Sequence, residues 1–219
     1  MSDVEMARIP AGRVLRGDQR GAERREIAVD AFEIGVYPIT EEQLAELLGI
    51  PARHPRRPAT QLSWLRAIRL CNALSEWEGL DPVYSFDGEV VTPDAETDGF
   101  RLPTEDEWEY ACRAGSTNAA YGPVREVAWT AADGIRGPVD VGARLPNLHG
   151  LFDTLGNVWE WCFDPFDAES ENDARAVRGG GWSDAPAFVR ATARRGGRPR
   201  EAFDDVGVRV ARGPMPAAS

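Results

Sequence analysis

The stretch Gly150-Leu-Phe-Asp-Thr-Leu-Gly-Asn-Val-Trp-Glu-Trp161 decides how this chain is read. Apolar and aromatic residues alternate there with Asp153, Asn157 and Glu160, and Gly156 interrupts any helical pattern. Strong β-formers beside a turn-former predict a tight, mostly buried loop that runs into a short strand. Carboxylates buried beside two tryptophans need a partner for their charge. Two partners suit these residue types. Arginines from elsewhere in the chain would form ion pairs. Alternatively, a structural calcium ion would be held by Asp153 and Glu160 with the carbonyls of Gly156 and Val158. The spacing leaves both open.

The surrounding composition sets bounds. At 219 residues the chain suits one large domain or two small ones, and its 42% hydrophobic share supports a sizeable core. The 22 glycines and 16 prolines favour an irregular, loop-rich α+β fold over a helical bundle. A net charge of −11 argues against non-specific binding to nucleic acid or an anionic membrane. All 25 basic residues are arginine. Cys71, Cys112 and Cys162 are widely spaced and odd in number, with neither a disulfide framework nor a CxxC metal signature. No signal peptide and no membrane-length apolar run is seen, so a cytoplasmic location is expected.

Residues 7 to 38 read as two or three strands, with the charged stretch from Arg16 to Arg24 exposed. Three helices follow from their start signals. Thr40 with Gln43 and Thr104 with Glu107 form capping boxes, and Ser63 caps the helix between them. Gly49 and Gly115 are the expected stops. Residues 81 to 98 read as a small hairpin turning at Asp87-Gly88. Glu105, Asp106, Glu107 and Glu109 are explained by helix-start charge and an exposed face. Long surface loops are expected from 116 to 149, with Trp129 as their large anchor. Strands are expected over 176–182 and 206–211, and the residues from Gly213 onward should fray.

The 150–161 stretch resembles the "GNVWEW" signature of the formylglycine-generating enzyme, or sulfatase-modifying factor, family. Further pieces fall in that family's order: Ile9-Pro-Ala-Gly12, Ser63-Trp64, Gly99-Phe-Arg-Leu-Pro-Thr-Glu-Asp-Glu-Trp-Glu-Tyr110, Val177-Arg-Gly-Gly-Gly-Trp182 and Val206-Gly-Val-Arg-Val210. They span about residues 6 to 212 and imply a single domain over 1–219. The fold this implies is C-type-lectin-like: a few helices against twisted antiparallel sheets, and much loop. The family also places its calcium loop on Asp153, Gly156, Val158 and Glu160. Its copper-binding cysteine pair, which oxidises a substrate cysteine, should lie just after Trp182. No cysteine follows Cys162 here, so no copper is expected.

Other chemistry is sparse. His54 and His149 lie far apart, which argues against the iron sites of related non-heme enzymes. Nothing resembles a nucleophile elbow, and Arg178-Gly-Gly-Gly181 lacks the Lys-Ser/Thr of a phosphate loop. What remains is a surface. Five arginines lie between Arg190 and Arg200. Arg190 and Arg194 fall where the family ties down its terminal loops, pairing with carboxylates such as Glu160. Arg195, Arg198 and Arg200 suit an exposed anion-recognising rim.

The segment 183–205 also resembles the diversified region of variable proteins from diversity-generating retroelements, which lies between an "RGG.W" strand and a "GFR" strand. The reading is a non-catalytic module binding an unidentified protein or small molecule through Trp182, Ser183, Asp184, Phe188, Arg195, Arg198, Arg200, Phe203 and Asp204. The alternative is a metal-dependent oxidoreductase that uses the same cleft with a different residue set. The missing thiol pair yields an expected outcome. The chain should neither bind Cu(I) tightly nor convert a cysteine peptide to formylglycine, as copper titration and aldehyde trapping on a sulfatase-type peptide will check.

Overall fold

The computed structural model describes residues 3–16, 25–170 and 173–216. Most of the charged stretch expected to be exposed, and residues 217–219 of the end expected to fray, therefore lie outside the described residues, while Gly213 and Pro214 do not fray, since their carbonyls accept from Arg101. Strands β1 (Met6–Ile9), β2 (Gly12–Arg16), β3 (Arg25–Val29) and β4 (Phe32–Gly35) open the chain. They divide between two sheets: β2 pairs with β3, while β4 lies between β1 and a C-terminal strand, β11 (Ala211–Arg212).

The helices follow their sequence signals. Helix α1 (Glu41–Leu48) starts at the Thr40–Gln43 capping box and stops at Gly49, φ 65°. Helix α2 (Trp64–Trp77) is capped by the Ser63 hydroxyl, which accepts from the Arg66 N–H. Helix α3 (Glu105–Arg113) starts at the Thr104–Glu107 box, but its left-handed cap is Ala114 rather than Gly115. The hairpin β5 (Tyr84–Asp87) and β6 (Val90–Pro93) turns one residue later than expected, at Gly88-Glu89. A short helix α4 (Val124–Val127) and a 3-10 turn at Ala131–Asp133 interrupt the long loops.

The organising stretch ends in β7 (Trp159–Pro165), central to a four-stranded sheet. On one side β7 pairs antiparallel with β8 (Arg175–Arg178), which pairs with β9 (Arg194–Gly197); on the other it pairs parallel with β10 (Val206–Gly207). Two expectations need correction here. The 206–211 run is not one strand, because β10 joins this sheet while β11 joins β4. The strand expected over 176–182 stops at Arg178, and the next strand, β9, lies inside 183–205. Trp161, on β7, donates its indole N–H to the Leu62 carbonyl at 2.8 Å and packs in the main core with Trp64, Phe100 and Leu102.

Buried ion pairs join these layers. Both oxygens of Glu160 accept from Arg209, and one also accepts from the Trp108 indole at 2.6 Å. Arg209 spends its other donors on the carbonyls of Gly35, Val36 and Phe152. The exposed-face explanation of the α3 carboxylates fails for three of them, since Glu105, Glu107 and Glu109 are buried. Glu107 forms a bidentate pair with buried Arg101, at 2.7 Å for each bond. Glu105 accepts from Arg178 and Arg194, and Glu109 from Arg178 and Arg113. Burial would lower the pKa of the Arg178 guanidinium, but Glu109 and Glu105 outweigh it and raise the pKa.

Asp164, near the end of β7, accepts the Glu105 N–H at 2.7 Å and so caps the start of α3. Burial, assisted by the nearby Glu105 carboxylate, pushes its pKa up to about 6. A folded pKa above the unfolded one stabilises the fold below the unfolded value, and that contribution is lost as pH rises through 6. Asp164→Asn keeps an acceptor and removes the charge. It should therefore raise stability at pH 7 by about 1–3 kcal/mol, the gain vanishing below pH 4 in urea unfolding at several pH values. Glu160→Gln should do the opposite, costing about 3–5 kcal/mol because Arg209 is left buried without its counter-charge. Glu33→Gln, which breaks the surface pair with Arg8, should cost at most about 1 kcal/mol in the same measurement.

Candidate functional site

The segment between β8 and β10 is fastened at its start by backbone geometry. Gly179 and Gly180 adopt φ 103° and 90°. A Cβ at Gly179 would sit 2.8 Å from the Thr154 carbonyl, so only glycine fits this passage. Trp182 then donates its N–H to the Asn157 carbonyl, and Asn157 donates its own to the Trp129 carbonyl. The Asn157 side chain bridges to Val139 through both its amide groups. Residues 129, 157 and 182 thus form successive rungs of one backbone ladder, which continues where Ala131 N–H donates to the Asp184 carbonyl.

Three of the candidate residues cluster on this frame around Trp159. Asp184 accepts from the Trp159 indole and from the Gly181 N–H, both at 2.8 Å. Arg195 forms a bidentate pair with Asp205, at 3.0 and 2.7 Å, and its guanidinium lies 4.8 Å from the Trp159 ring and 5.5 Å from Phe203. Phe203 packs against Trp161, ring centroids 6.2 Å apart. Trp182 is half-buried beside them in sequence, its indole N–H without a partner among the described residues. Asp184, Arg195 and Phe203 are therefore braces of the fold as well as members of the surface.

The remaining candidates divide differently. Ser183 and Asp204 are exposed, as are Phe188, at 63%, and Arg198, whose nearest carboxylate is Glu201 at 3.7 Å. Arg200 reaches across to Glu89 in the β5–β6 turn, Nε to Oε2 2.9 Å. Of the three arginines expected to form an anion rim, Arg195 and Arg200 are thus committed to carboxylates, and only Arg198 stands nearly free. Nor does Glu160 hold Arg190 or Arg194. Arg194 pairs with Glu105, and the Arg190 Nε has no partner among the described residues.

At Glu160 the calcium expectation meets an arginine. Of the two partners that the sequence left open, the structure supplies the arginine. A cation would have to share oxygens already engaged by Arg209 and Trp108. Asp153 accepts from the Gly142 N–H at 2.7 Å and more weakly from the Asn157 amide. Burial raises its pKa, against the pull of the Gly142 hydrogen bond. The set Asp153, Gly156, Val158 and Glu160 does not fit a calcium ion, and no cluster of three His, Cys, Asp or Glu ligands occurs among the described residues.

Reactive side chains are also withdrawn. Cys71, Cys112 and Cys162 are free and fully buried. Burial pushes the Cys112 thiol up to about 12 and lifts Cys71 and Cys162 as well, so all three stay protonated and unsuited to a soft metal. His149 tilts against Tyr110 at 6.2 Å, and partial burial lowers its pKa. No helix is long and apolar enough to cross a membrane among the described residues.

The sequence reading passed over the far wall of this region. Arg144 lies 3.8 Å over the Trp129 ring and pairs with Asp133 at 2.5 Å, holding the 129–133 turn against Asp184. Trp129, the large anchor in a turn-rich stretch, was the available signal. Its arginine partner lies fifteen residues on, with no periodicity to announce it.

Comparison with known proteins places this geometry. Residues 2–214 match the sulfatase-modifying factor enzyme 1-like domain. The chaperone protein LppX of Paenibacillus barcinonensis is 31% identical over 200 residues, 72% of this chain and 71% of that protein. Inactive C-alpha-formylglycine-generating enzyme 2 of Mus musculus is 30% identical over 266 aligned positions, covering 95% of this chain and 86% of the relative. Among solved structures, Treponema denticola variable protein 1 superimposes with a TM-score of 0.85 at 25% identity, covering 95% of each chain. With its ordered motifs, its loop-rich α+β architecture and this match along nearly its whole length, the chain belongs to the formylglycine-generating enzyme, or sulfatase-modifying factor, family.

Proposed function

We propose that this chain is a non-catalytic binding module that recognises a protein or small-molecule ligand through the surface of residues 182–205. One observation carries the reading: a crest of exposed positions, Ser183 and Phe188 in one run and Arg198 and Asp204 in another, accompanies residues that the fold holds in place. Loops on a rigid scaffold are where recognition usually resides, and aromatic and arginine side chains dominate interface energetics. The absence of any thiol beyond buried Cys162 supports the same reading, because the family's oxidation chemistry needs an accessible pair. Two relatives agree in kind: one bears the name of an inactive enzyme and the other of a variable protein.

The test separates crest from brace. Ala at Ser183, Phe188, Arg198 and Asp204 together should change stability by no more than about 0.5 kcal/mol per site, while abolishing binding of a partner selected from a displayed peptide library on the wild-type chain. Asp184→Ala should instead cost about 2 kcal/mol or more, since it strands the Trp159 indole and the Gly181 N–H. A selected partner that binds the four-site variant as tightly as wild type overturns the proposal. A template repeat matching the codons of 183–205, beside a reverse transcriptase gene, would place the chain among diversified binders.

A further inference from the structure

A cleft of about 480 Å³ opens beside the β1–β4–β11 sheet and shares no residue with 182–205. Buried Ile9 and Phe32 contribute an apolar lining, and four charged residues line it as well: Arg8, Glu33, Asp98 and Arg212. Arg8 and Glu33 neutralise each other at 3.1 Å. The other two do not. Arg212 donates its Nε–H to the Asp98 backbone carbonyl at 3.1 Å, so the residues are neighbours. Their side-chain charges nevertheless form no ion pair, with each other or with any other described residue. The Arg212 guanidinium rests 5.3 Å from the Phe100 ring, which steadies it without neutralising it.

The cleft is therefore lined by Asp98 and Arg212, neighbouring residues whose side chains form no ion pair with a described residue, although Arg212 lies across the sheet from Glu33. Its size falls within the range of small-molecule sites. A plain anion would satisfy Arg212 alone and meet Asp98 as a like charge, and a plain cation would reverse the problem. A purely apolar group would leave both charges unpaired at its edge. We propose that this cleft binds a small zwitterion with an apolar substituent, an α-amino acid or a dipeptide. Its ammonium lies toward Asp98, its carboxylate toward Arg212, and its side chain against Ile9 and Phe32. The site is open and its charges are solvated, so the affinity is modest, with a Kd on the order of millimolar. This inference does not depend on the recognition surface proposed above.

The experiment follows the Ile9 methyl resonance of the full chain while phenylalanine is titrated in. Phenylalanine should shift it saturably. N-acetyl-phenylalanine amide, phenethylamine and 3-phenylpropionate, which lack one or both charges, should each bind about tenfold more weakly. Asp98→Asn, at an exposed position, should weaken phenylalanine about tenfold with an unchanged melting temperature. Absence of a saturable shift at the solubility limit of phenylalanine overturns the proposal. So does equal binding of any of the three analogues, or wild-type affinity in Asp98→Asn.

Discussion

The pairing of Glu160 with Arg209 is the constraint on which the other layers converge. Arg209 takes the carboxylate on one side and the carbonyls of Gly35, Val36 and Phe152 with its remaining donors. One guanidinium thus joins β4, the organising loop and β7. It stands between β10 and β11, where the chain leaves one sheet and enters the other. A buried ion pair adds little stability over a well-packed apolar substitute, and its use lies in what it forbids. A one-residue slip would carry Arg209 away from Glu160 and reverse the facing of every neighbouring side chain.

The same logic repeats along α3. Successive odd-numbered glutamates are directed to arginines elsewhere in the chain: Glu107 to Arg101, and Glu105 and Glu109 together to Arg178, with Arg194 closing on Glu105. Arg178 ends β8 and Arg194 begins β9, so both strand ends that bracket the first part of the recognition segment are fastened to one helix. The loop between them does not have to hold itself together. That division of labour lets a protein with little regular structure keep an exposed loop in one place.

Much of the fold was legible because its signals are local. Thr40 with Gln43, Ser63, and Thr104 with Glu107 announced three helices within a residue or two, and Gly156 and the 179–181 glycines marked the tight passages. Partners distant in sequence were not legible. The α3 carboxylates look like an exposed helix start, and only the presence of Arg101, Arg178 and Arg194 across the core shows otherwise. Glu160 posed the same ambiguity between cation and arginine, which spacing could not resolve and Arg209 does. The split of the 206–211 run was equally hidden, because a continuous apolar stretch does not say which sheet each half will join. At the candidate site, the sequence did not separate two kinds of residue. Asp184, Arg195 and Phe203 read as ligand contacts until the structure shows what they hold.

That distinction limits what a recognition surface on this frame is free to be. Substitution at Asp184 would release Trp159, and substitution at Arg195 would leave Asp205 unpaired beside the entry to β10. Gly197 is no freer, since a Cβ there would lie 2.5 Å from the Trp161 ring. Buried Val189 and Ala191 fill the space between the second core and the glycine passage. The positions that touch nothing essential are Ser183, the exposed residues 185–188, Arg198 and residues 201, 202 and 204. These fall in two runs of the sequence, before and after Arg195, rather than in one continuous run. A ligand recognised here would have to engage both runs, or use one alone. The fixed residues between them supply a rigid aromatic and charged floor, and specificity would come from its edges.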